Sequence, residues 1–275
     1  MKAQRIVFII LFLMAVSGLR AQSYYSVTGS GHIAAGGTGV ASPDLWSANN
    51  NQAAMAFYGS SFGAGFYYQN SFMLKETSLN NGVLMYSTPS GTFGLTINGF
   101  GYSNFNTKKI GLGYAKKLAS KFSAGIQLDY INIFVGGNYG SCNLFTFELG
   151  LYAEATENIS IGAHVFNPVR VKVADYNDER LPLVFNLGML WKASKNFSLT
   201  AEAESDIDNK TIFKAGVEYK IIDMLYARLG VSNNPNIFSF GAGLHLGNFR
   251  LDFSSTMHQM LGYSPQVSVV YEFDK

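Results

Sequence analysis

The feature that most constrains this chain is a regular alternation of apolar and polar residues between Leu183 and Phe273. Large apolar side chains occupy every second position, as in Phe249, Leu251 and Phe253, with polar or small residues between them. A period of two is typical of strands with one apolar and one polar face. A soluble β-sandwich turns its apolar face inward, whereas a membrane barrel turns that face toward lipid. The pattern therefore predicts an all-β fold and leaves its orientation open.

The same alternation extends back to about residue 61 and divides the chain into short segments. We predict strands at residues 61–70, 82–88, 91–101, 108–117, 121–134, 143–154, 158–166, 181–192, 196–205, 211–220, 224–232, 236–246, 248–256 and 265–273. Tight turns alternate with longer or more polar connections, which in an outer-membrane barrel lie on the periplasmic and external rims, respectively. A sandwich has no reason to obey that alternation, so the connections favour a closed barrel.

Charged residues concentrate on one face of the predicted strands. A charge that faces lipid at the bilayer midplane costs about 2 to 4 kcal/mol, so we assign this face to the lumen of a transmembrane antiparallel β-barrel of about 14 strands. Seven of the candidates are acidic and three are Lys or Arg, which disfavours a simple anion pore. The predicted lumen-lining residues are Gln127, Asp129, Glu148, His164, Glu202, Glu204, Lys214, Glu218, Arg228, His245, Arg250, Asp252 and Glu272.

Residues 1–21 predict an export signal. Lys2 and Arg5 precede an apolar stretch from residue 6 to residue 18, and a plausible cleavage site lies between Ala21 and Gln22. The apolar stretch is shorter than the roughly 20 residues of a helical membrane span. We therefore expect a cleaved signal peptide and residence in the outer membrane of a Gram-negative cell, with an uncleaved anchor as the alternative.

Composition agrees with a membrane barrel. Charged residues make up 14% of the chain and aromatic residues 15%, whereas about a quarter of an ordinary soluble chain is charged. Cys142 is the only cysteine, so a disulfide within the chain is excluded. Removing residues 1–21 leaves 17 basic against 18 acidic side chains, and the absence of a basic patch excludes nucleic-acid binding.

Residues 22–59 do not alternate like a strand. Glycines from residue 29 to residue 39 predict a flexible start, and residues 42–56 can form one or two helical turns. A barrel of about fourteen strands needs either a plug or a water channel. We therefore assign residues 22–59 to an N-terminal plug and residues 60–275 to the barrel, with Asp44, Trp46 and Asn50 as candidate ligand contacts in the plug.

Several stretches together resemble the FadL-like outer-membrane barrels of Bacteroidetes, particularly the PorV/PorQ family. They are GHIAAGGTGVA followed by LWSANNNQAAMA, the FNP of residues 166–168 leading to ERLPL, and FSFGAGLHLGNFRLDFSS with a final SVVYEF. Gln52 stands where this family usually has proline. The resemblance covers essentially the whole mature chain and implies a fourteen-stranded barrel with an N-terminal plug.

Short motifs that mimic enzyme signatures have simpler interpretations. Residues 59–63 match G-x-S-x-G, but a predicted strand follows where the nucleophile turn needs a helix. Residues 29–34 mimic a dinucleotide fingerprint without a preceding strand. Glu202 and Glu204 could serve acid-base chemistry or a cation, but we interpret them as lumen-lining residues balanced by Lys214 and Arg228. His164 and His245 could bind a metal or shuttle protons, but without a third convergent group we interpret them as wall residues. We predict no catalytic residue, no cofactor and no metal site.

The leading functional hypothesis, implied by the resemblance, is a non-enzymatic barrel that binds or passes hydrophobic or amphipathic small molecules. The alternative is an accessory of type IX protein secretion that acts through protein contacts, and a minor alternative is a barrel-embedded lipid-modifying enzyme. Expected partners are outer-membrane lipid, a hydrophobic ligand or secretion-system proteins, and the barrel-assembly machinery during biogenesis.

Overall fold

The computed structural model describes residues 25–137, 140–174, 178–207 and 209–273. The predicted signal peptide and the first three residues of the predicted plug lie outside these ranges. Two short helices, α1 (Ser30–Ala34) and α2 (Ser47–Asn50), and a 3₁₀ turn (Gln52–Phe57) precede the first strand, and two further 3₁₀ turns (Ser71–Met73 and Lys75–Thr77) follow it. The strands are β1 (Phe62–Asn70), β2 (Ser78–Thr88), β3 (Gly91–Tyr102), β4 (Phe105–Ala119), β5 (Phe122–Val135), β6 (Gly140–Glu154), β7 (Ile159–Phe166), β8 (Val184–Lys192), β9 (Phe197–Asp206), β10 (Ile212–Ile222), β11 (Leu225–Ser232), β12 (Ile237–Leu246), β13 (Phe249–His258) and β14 (Gly262–Phe273).

The described strands form one closed antiparallel barrel in which each strand pairs with its neighbours in sequence. Closure occurs between the first and the last strand, where β1 and β14 pair from Phe62 opposite Phe273 to Gln69 opposite Gln266. A closed sheet has no free edge, so every strand finds partners for its backbone on both sides. The predicted fourteen-stranded antiparallel barrel is confirmed, and the sandwich alternative is wrong.

The apolar face of the strands points outward. Phe145 is 72% exposed, Leu112 63% and Phe249 51%, whereas their polar neighbours along the strands face the interior. Inward positions include buried carboxylates such as Glu148 and Asp252. This arrangement is the inverse of a soluble fold and matches a wall in contact with lipid.

The two rims of the barrel differ. Connections of two to four residues join β2 to β3, β4 to β5, β6 to β7, β8 to β9, β10 to β11 and β12 to β13, and we call this end the short-turn rim. At the opposite rim, residues 71–77 and 167–183 form longer loops. Several connections predicted to be long are shorter, because β2, β4, β6 and β14 each begin about three residues or more before their predicted starts.

The N-terminal segment, defined here as residues 25–60, packs against inward-facing residues of the strands. Asn51 donates through Nδ2 to the Leu151 carbonyl oxygen at 3.1 Å, and Ser123 donates through Oγ to the Ala53 carbonyl oxygen at 2.7 Å. The stretch predicted to be flexible contains α1, which begins after Gly29 at a φ of 96°. Packing against strands β11 to β14 holds this short helix in place.

Inward-facing glycines make room for the N-terminal segment. A Cβ atom added to Gly216 would meet the carbonyl group of Ala35, and one added to Gly230 would meet the backbone of Gly36. A Cβ atom added to Gly125, Gly150 or Gly162 would likewise meet atoms of the segment. Because glycine alone lacks a Cβ, the wall allows backbone contact on at least five strands.

Apolar contacts also fix the segment in the barrel. Leu45, Trp46 and Met55 pack with inward-facing residues of β1, β2 and β14. A second cluster joins Tyr25 to the inner faces of β5 and β6 and to Leu181 in the loop that follows β7. No helix in the described part of the chain is long and apolar enough to cross a membrane.

Candidate functional site

A cavity of about 790 Å³ lies between the N-terminal segment and the wall at the short-turn rim. The segment contributes residues around α1 and around Asp44, while the wall contributes residues of strands β8 to β13 and the short connections at residues 193–196. Trp46, Leu190 and Tyr226 supply part of the apolar surface, and charged and hydroxyl side chains also line the cavity. A volume of roughly 300 to 1,000 Å³ with a few placed polar groups is typical of small-molecule sites.

His32 and Asp44 form an ion pair on the segment side of the cavity. His32 Nε2 lies 2.9 Å from Asp44 Oδ2, and the backbone N–H of Trp46 donates to Asp44 Oδ1 at 2.9 Å. Burial alone would lower the pKa of His32, but the Asp44 carboxylate outweighs it and raises that pKa above its ordinary value of 6.5. For Asp44, burial opposes ionisation, and the contacts with His32 outweigh it and lower the carboxyl pKa below 3.8.

Arg228 lines the cavity and forms ion pairs with two carboxylates. Its Nε donates to Glu218 Oε2 at 2.5 Å, and its Nη1 donates to Asp252 Oδ1 at 2.5 Å. Gly31 lies directly above the guanidinium, and a Cβ there would be 3.1 Å from Cζ of Arg228. Strand parity places these three side chains on one face, because they occupy inward positions of β10, β11 and β13, with β12 between the last two.

Arg250 lies beside this group with a different environment. Its Nε is 3.8 Å from Asp252 Oδ2, which is too long for a hydrogen bond. Nε and Nη2 are both buried and have no hydrogen-bond partner among the described residues. Nearby, the His245 ring stacks on Tyr226 with centroids 4.1 Å apart, and His245 Nε2 is likewise buried without a hydrogen-bond partner in the described part of the chain.

A second polar group connects the segment to the wall away from the cavity. The backbone N–H groups of Gly39 and Val40 both donate to Glu202 Oε2, at 2.8 and 3.0 Å. Lys214 Nζ pairs with Glu204 at 2.7 Å and with Glu202 at 3.4 Å. Glu202 therefore bonds to both the segment and the wall, whereas the hydrogen bond that Glu204 makes among the described residues is with the wall residue Lys214.

A third polar group is centred on Glu148. This buried carboxylate accepts from Lys109 at 2.7 Å and from Gln52 of the segment at 2.8 Å, and His164 Nε2 lies 2.8 Å away. Asp129 lies on the neighbouring strand and accepts from Gln127 at 2.9 Å. Gln52 thus joins the segment to the wall.

All the predicted lumen-lining residues except Glu272 fall into these three groups. Nine of them are less than a tenth exposed, namely Gln127, Asp129, Glu148, His164, Glu202, Glu204, Lys214, Arg228 and Asp252. Glu218, Arg228, His245, Arg250 and Asp252 meet at the cavity together with Asp44 and Trp46 of the segment. Glu272 is half-buried on β14 outside the cavity lining. Asn50 also lies elsewhere, where its side chain exchanges hydrogen bonds with the backbone of Thr28 at 3.0 Å.

Sequence reasoning missed two ionisable residues with a part in these groups. Lys109 points inward, and strand alternation could have revealed this, because its neighbour Ile110 is an apolar residue on the outward face. His32 lies on a segment without strand periodicity, so no sequence pattern pointed to it. The excess of acid counted in the sequence is largely paired, because Lys109, Lys214 and Arg228 together bind five carboxylates.

Comparison with solved structures shows the same fold in hydrocarbon channels. The Ralstonia pickettii toluene transporter TbuX has a TM-score of 0.67 and 13% identity, covering 91% of this chain and 99% of that chain. The CymD monoaromatic hydrocarbon channel has a TM-score of 0.66 and 12% identity, again covering 91% of this chain and 99% of that chain. A Pseudomonas aeruginosa FadL homologue has a TM-score of 0.60 and 13% identity, covering 90% of this chain and 98% of that chain. No protein-family model and no curated protein matches the chain.

Proposed function

We propose that this protein is an outer-membrane barrel that holds or passes small hydrophobic or amphipathic molecules. The observation that carries the proposal is the cavity of about 790 Å³ between the N-terminal segment and the wall of a lipid-facing barrel. Its fold is that of barrels described as toluene and monoaromatic hydrocarbon channels. The segment acts as a plug, since it occupies the interior and leaves this cavity at the short-turn rim.

The cavity suits a molecule with both apolar and polar parts. Trp46, Leu190 and Tyr226 offer apolar contact, and polar groups on the facing surfaces fix orientation. The short-turn rim is the periplasmic side in barrels of this kind. A molecule held in the cavity therefore stands at the exit toward the periplasm, with the N-terminal segment between it and the external rim.

A pair of neighbouring substitutions tests the proposal. Ser198 lines the cavity, whereas Leu199 is on the opposite face of the same strand. Ser198→Trp should fill part of the cavity and reduce uptake of toluene into proteoliposomes, and Leu199→Trp should leave uptake unchanged because it faces lipid. Equal uptake by both variants and the unmodified protein would count against a role for the cavity.

The resemblance to the PorV/PorQ family supplies the competing hypothesis of an accessory to type IX protein secretion. Deletion of the protein distinguishes the two. Loss of hydrophobic-compound uptake with normal export of secreted proteins supports the channel. Blocked export with unchanged uptake supports the accessory and refutes the proposal.

A further inference from the structure

Two lysines of β4 are exceptions on an otherwise uncharged outer face. By strand parity, the outward positions of the described strands carry no Asp, Glu or Arg, and the lysines among them are Lys108 and Lys116. Between these two, the outward residues of β4 are Ile110, Leu112 and Tyr114. At about 3.3 Å per residue and a strand tilt of about 35 to 45°, the two lysines are separated by roughly 20 Å of membrane thickness. Since the apolar band of such a barrel is about 25 Å tall, each lysine lies close to one membrane interface.

Lys108 belongs to a row of polar outward residues on neighbouring strands. Asn80 lies opposite Gly99, Gly99 opposite Lys108, Lys108 opposite Asn132, and Asn132 opposite Asn143. We call Asn80, Lys108, Asn132 and Asn143 the polar row. Neighbouring strands are about 4.8 Å apart, so the row extends over roughly 19 Å of the wall. Lys108 is exposed and has neither an ion pair nor a hydrogen bond in the described part of the chain.

The amides of the polar row keep hydrogen-bonding groups free for a ligand. Asn143 Oδ1 accepts from Asn132 Nδ2 at 2.7 Å and from the Tyr130 hydroxyl at 2.8 Å. The Tyr130 ring also packs on Phe145, with centroids 5.3 Å apart. These contacts orient the Asn143 amide and leave its Nδ2 group, like Asn132 Oδ1, without a partner among the described residues. The row therefore offers amide donors and acceptors beside an unpaired cation.

Apolar grooves adjoin the polar row on its membrane side. One groove of about 370 Å³ crosses β1, β2, β3 and β14, and a second of about 470 Å³ extends from β1 to β5. Gly99 of the row and Gly82, which lines the first groove, both face outward, and a Cβ atom added to either would meet nothing within 4 Å. The wall is therefore recessed between the polar row and the first groove, which leaves room for an acyl chain.

We propose that this part of the outer wall binds a phosphorylated glycolipid of the outer leaflet, with a phosphate on Lys108, sugar groups on Asn132 and Asn143, and acyl chains in the grooves. Charge complementarity favours a phosphate, since Lys108 is an unpaired cation at the interface. The neutral amides favour a sugar headgroup, because sugar hydroxyls both donate and accept hydrogen bonds. The inference rests on the proposed residence in the outer membrane, with the rim opposite the short turns facing outside, and it is independent of the ligand of the cavity.

Binding of three lipids to the purified protein in detergent tests the proposal by native mass spectrometry. Bisphosphorylated lipid A carries phosphates and sugars, dephosphorylated lipid A carries the sugars alone, and phosphatidylglycerol carries a phosphate without sugars. The unmodified protein should bind bisphosphorylated lipid A roughly tenfold more tightly than either of the others. Equal binding of the two forms of lipid A would overturn the role of Lys108, and equally tight binding of phosphatidylglycerol would overturn the glycolipid assignment.

Substitutions on β4 and β6 assign the binding to the polar row. Lys108→Gln should lower the affinity for bisphosphorylated lipid A roughly tenfold, and Asn143→Ala should lower it several-fold. Lys116→Gln is the matched control, because it removes the outward lysine of the same strand at the other interface, and it should leave the affinity unchanged. Unchanged affinity in Lys108→Gln, or an equal loss in Lys116→Gln, refutes the proposal.

Toluene uptake reports separately on the cavity, because Lys108 lies on the outer face. Uptake by Lys108→Gln should equal that of the unmodified protein. If the unmodified protein takes up toluene but shows no preference for bisphosphorylated lipid A, only this inference is refuted. If it shows the lipid preference but takes up no toluene, the inference is supported and the proposed function of the cavity fails.

Discussion

Replacement of Glu202 by glutamine perturbs the contact that fastens the N-terminal segment to the wall. Glu202 Oε2 accepts hydrogen bonds from the backbone N–H groups of Gly39 and Val40. Glutamine can keep both hydrogen bonds through its carbonyl oxygen but loses the negative charge. Lys214 retains Glu204 at 2.7 Å, so the wall lysine is not left without a partner.

The expected cost follows from the strength of the two bonds. Hydrogen bonds to a charged group contribute about 1.5 to 3 kcal/mol each, and neutral ones about half as much. If each of the two hydrogen bonds loses half of its strength, the contact between the segment and the wall is weakened by about 1.5 to 3 kcal/mol in total. At about 1.4 kcal/mol for each factor of ten, amide exchange of Gly39 and Val40 should accelerate by roughly 10- to 150-fold.

Hydrogen exchange measured by mass spectrometry on peptides that contain residues 39 and 40 provides the assay. Glu204→Gln is the matched control, because Glu204 faces the same way two residues along β9 and contacts Lys214 but makes no hydrogen bond to the described part of the segment. Its exchange at residues 39 and 40 should change far less. Equal acceleration in both variants, or none in Glu202→Gln, would refute the role of Glu202 as the fastening point.

Three further predictions address packing, charge and the loop after β7. Gly216→Ala should lower barrel stability by about 1 to 3 kcal/mol through contact with the segment backbone, whereas Gly82→Ala, with open space around it, should not, as thermal unfolding in detergent will show. The stability contributed by protonated His32 is fully present below pH 6.5 and is lost as the pH rises through the raised pKa of His32. The stability contributed by ionised Asp44 is fully present above pH 3.8 and is lost as the pH falls through the lowered pKa of Asp44. An NMR titration should therefore place the His32 midpoint above 6.5, and Asp44→Asn should lower it. Asn167→Ala removes the side chain that holds both ends of the loop after β7, so trypsin should cleave that loop faster than in the unmodified protein; equal rates would contradict this role.

The architecture could be predicted because one physical rule governs every strand. Lipid on one side and buried polar groups on the other impose alternation, and all fourteen strands follow it. The rule weakens at the rim opposite the short turns, where β2 begins at Ser78 and β6 at Gly140, ahead of their predicted starts. Beyond the apolar band, outward positions face water, so hydrophobic alternation disappears while backbone pairing continues.

The site was predictable only in part. Parity placed Arg228, Arg250 and Asp252 on one face. It could not show that Arg228 binds two carboxylates, whereas Nε and Nη2 of Arg250 have no hydrogen-bond partner in the described part of the chain. That distinction depends on rotamers and on strand register. The segment that carries His32 has no periodic pattern, and its fold is set by contacts distant in sequence, such as the bonds to Glu202.

The two tryptophans test most directly the central claim that the apolar wall faces lipid and the N-terminal segment lies inside. Trp191 is 42% exposed on the outer face of β8, and Trp46 is 2% exposed in the segment. In liposomes that contain lipids brominated close to the headgroup, Trp191 fluorescence in a Trp46→Phe variant should be strongly quenched, and Trp46 fluorescence in a Trp191→Phe variant should not. Quenching of Trp46, or none of Trp191, would contradict the account.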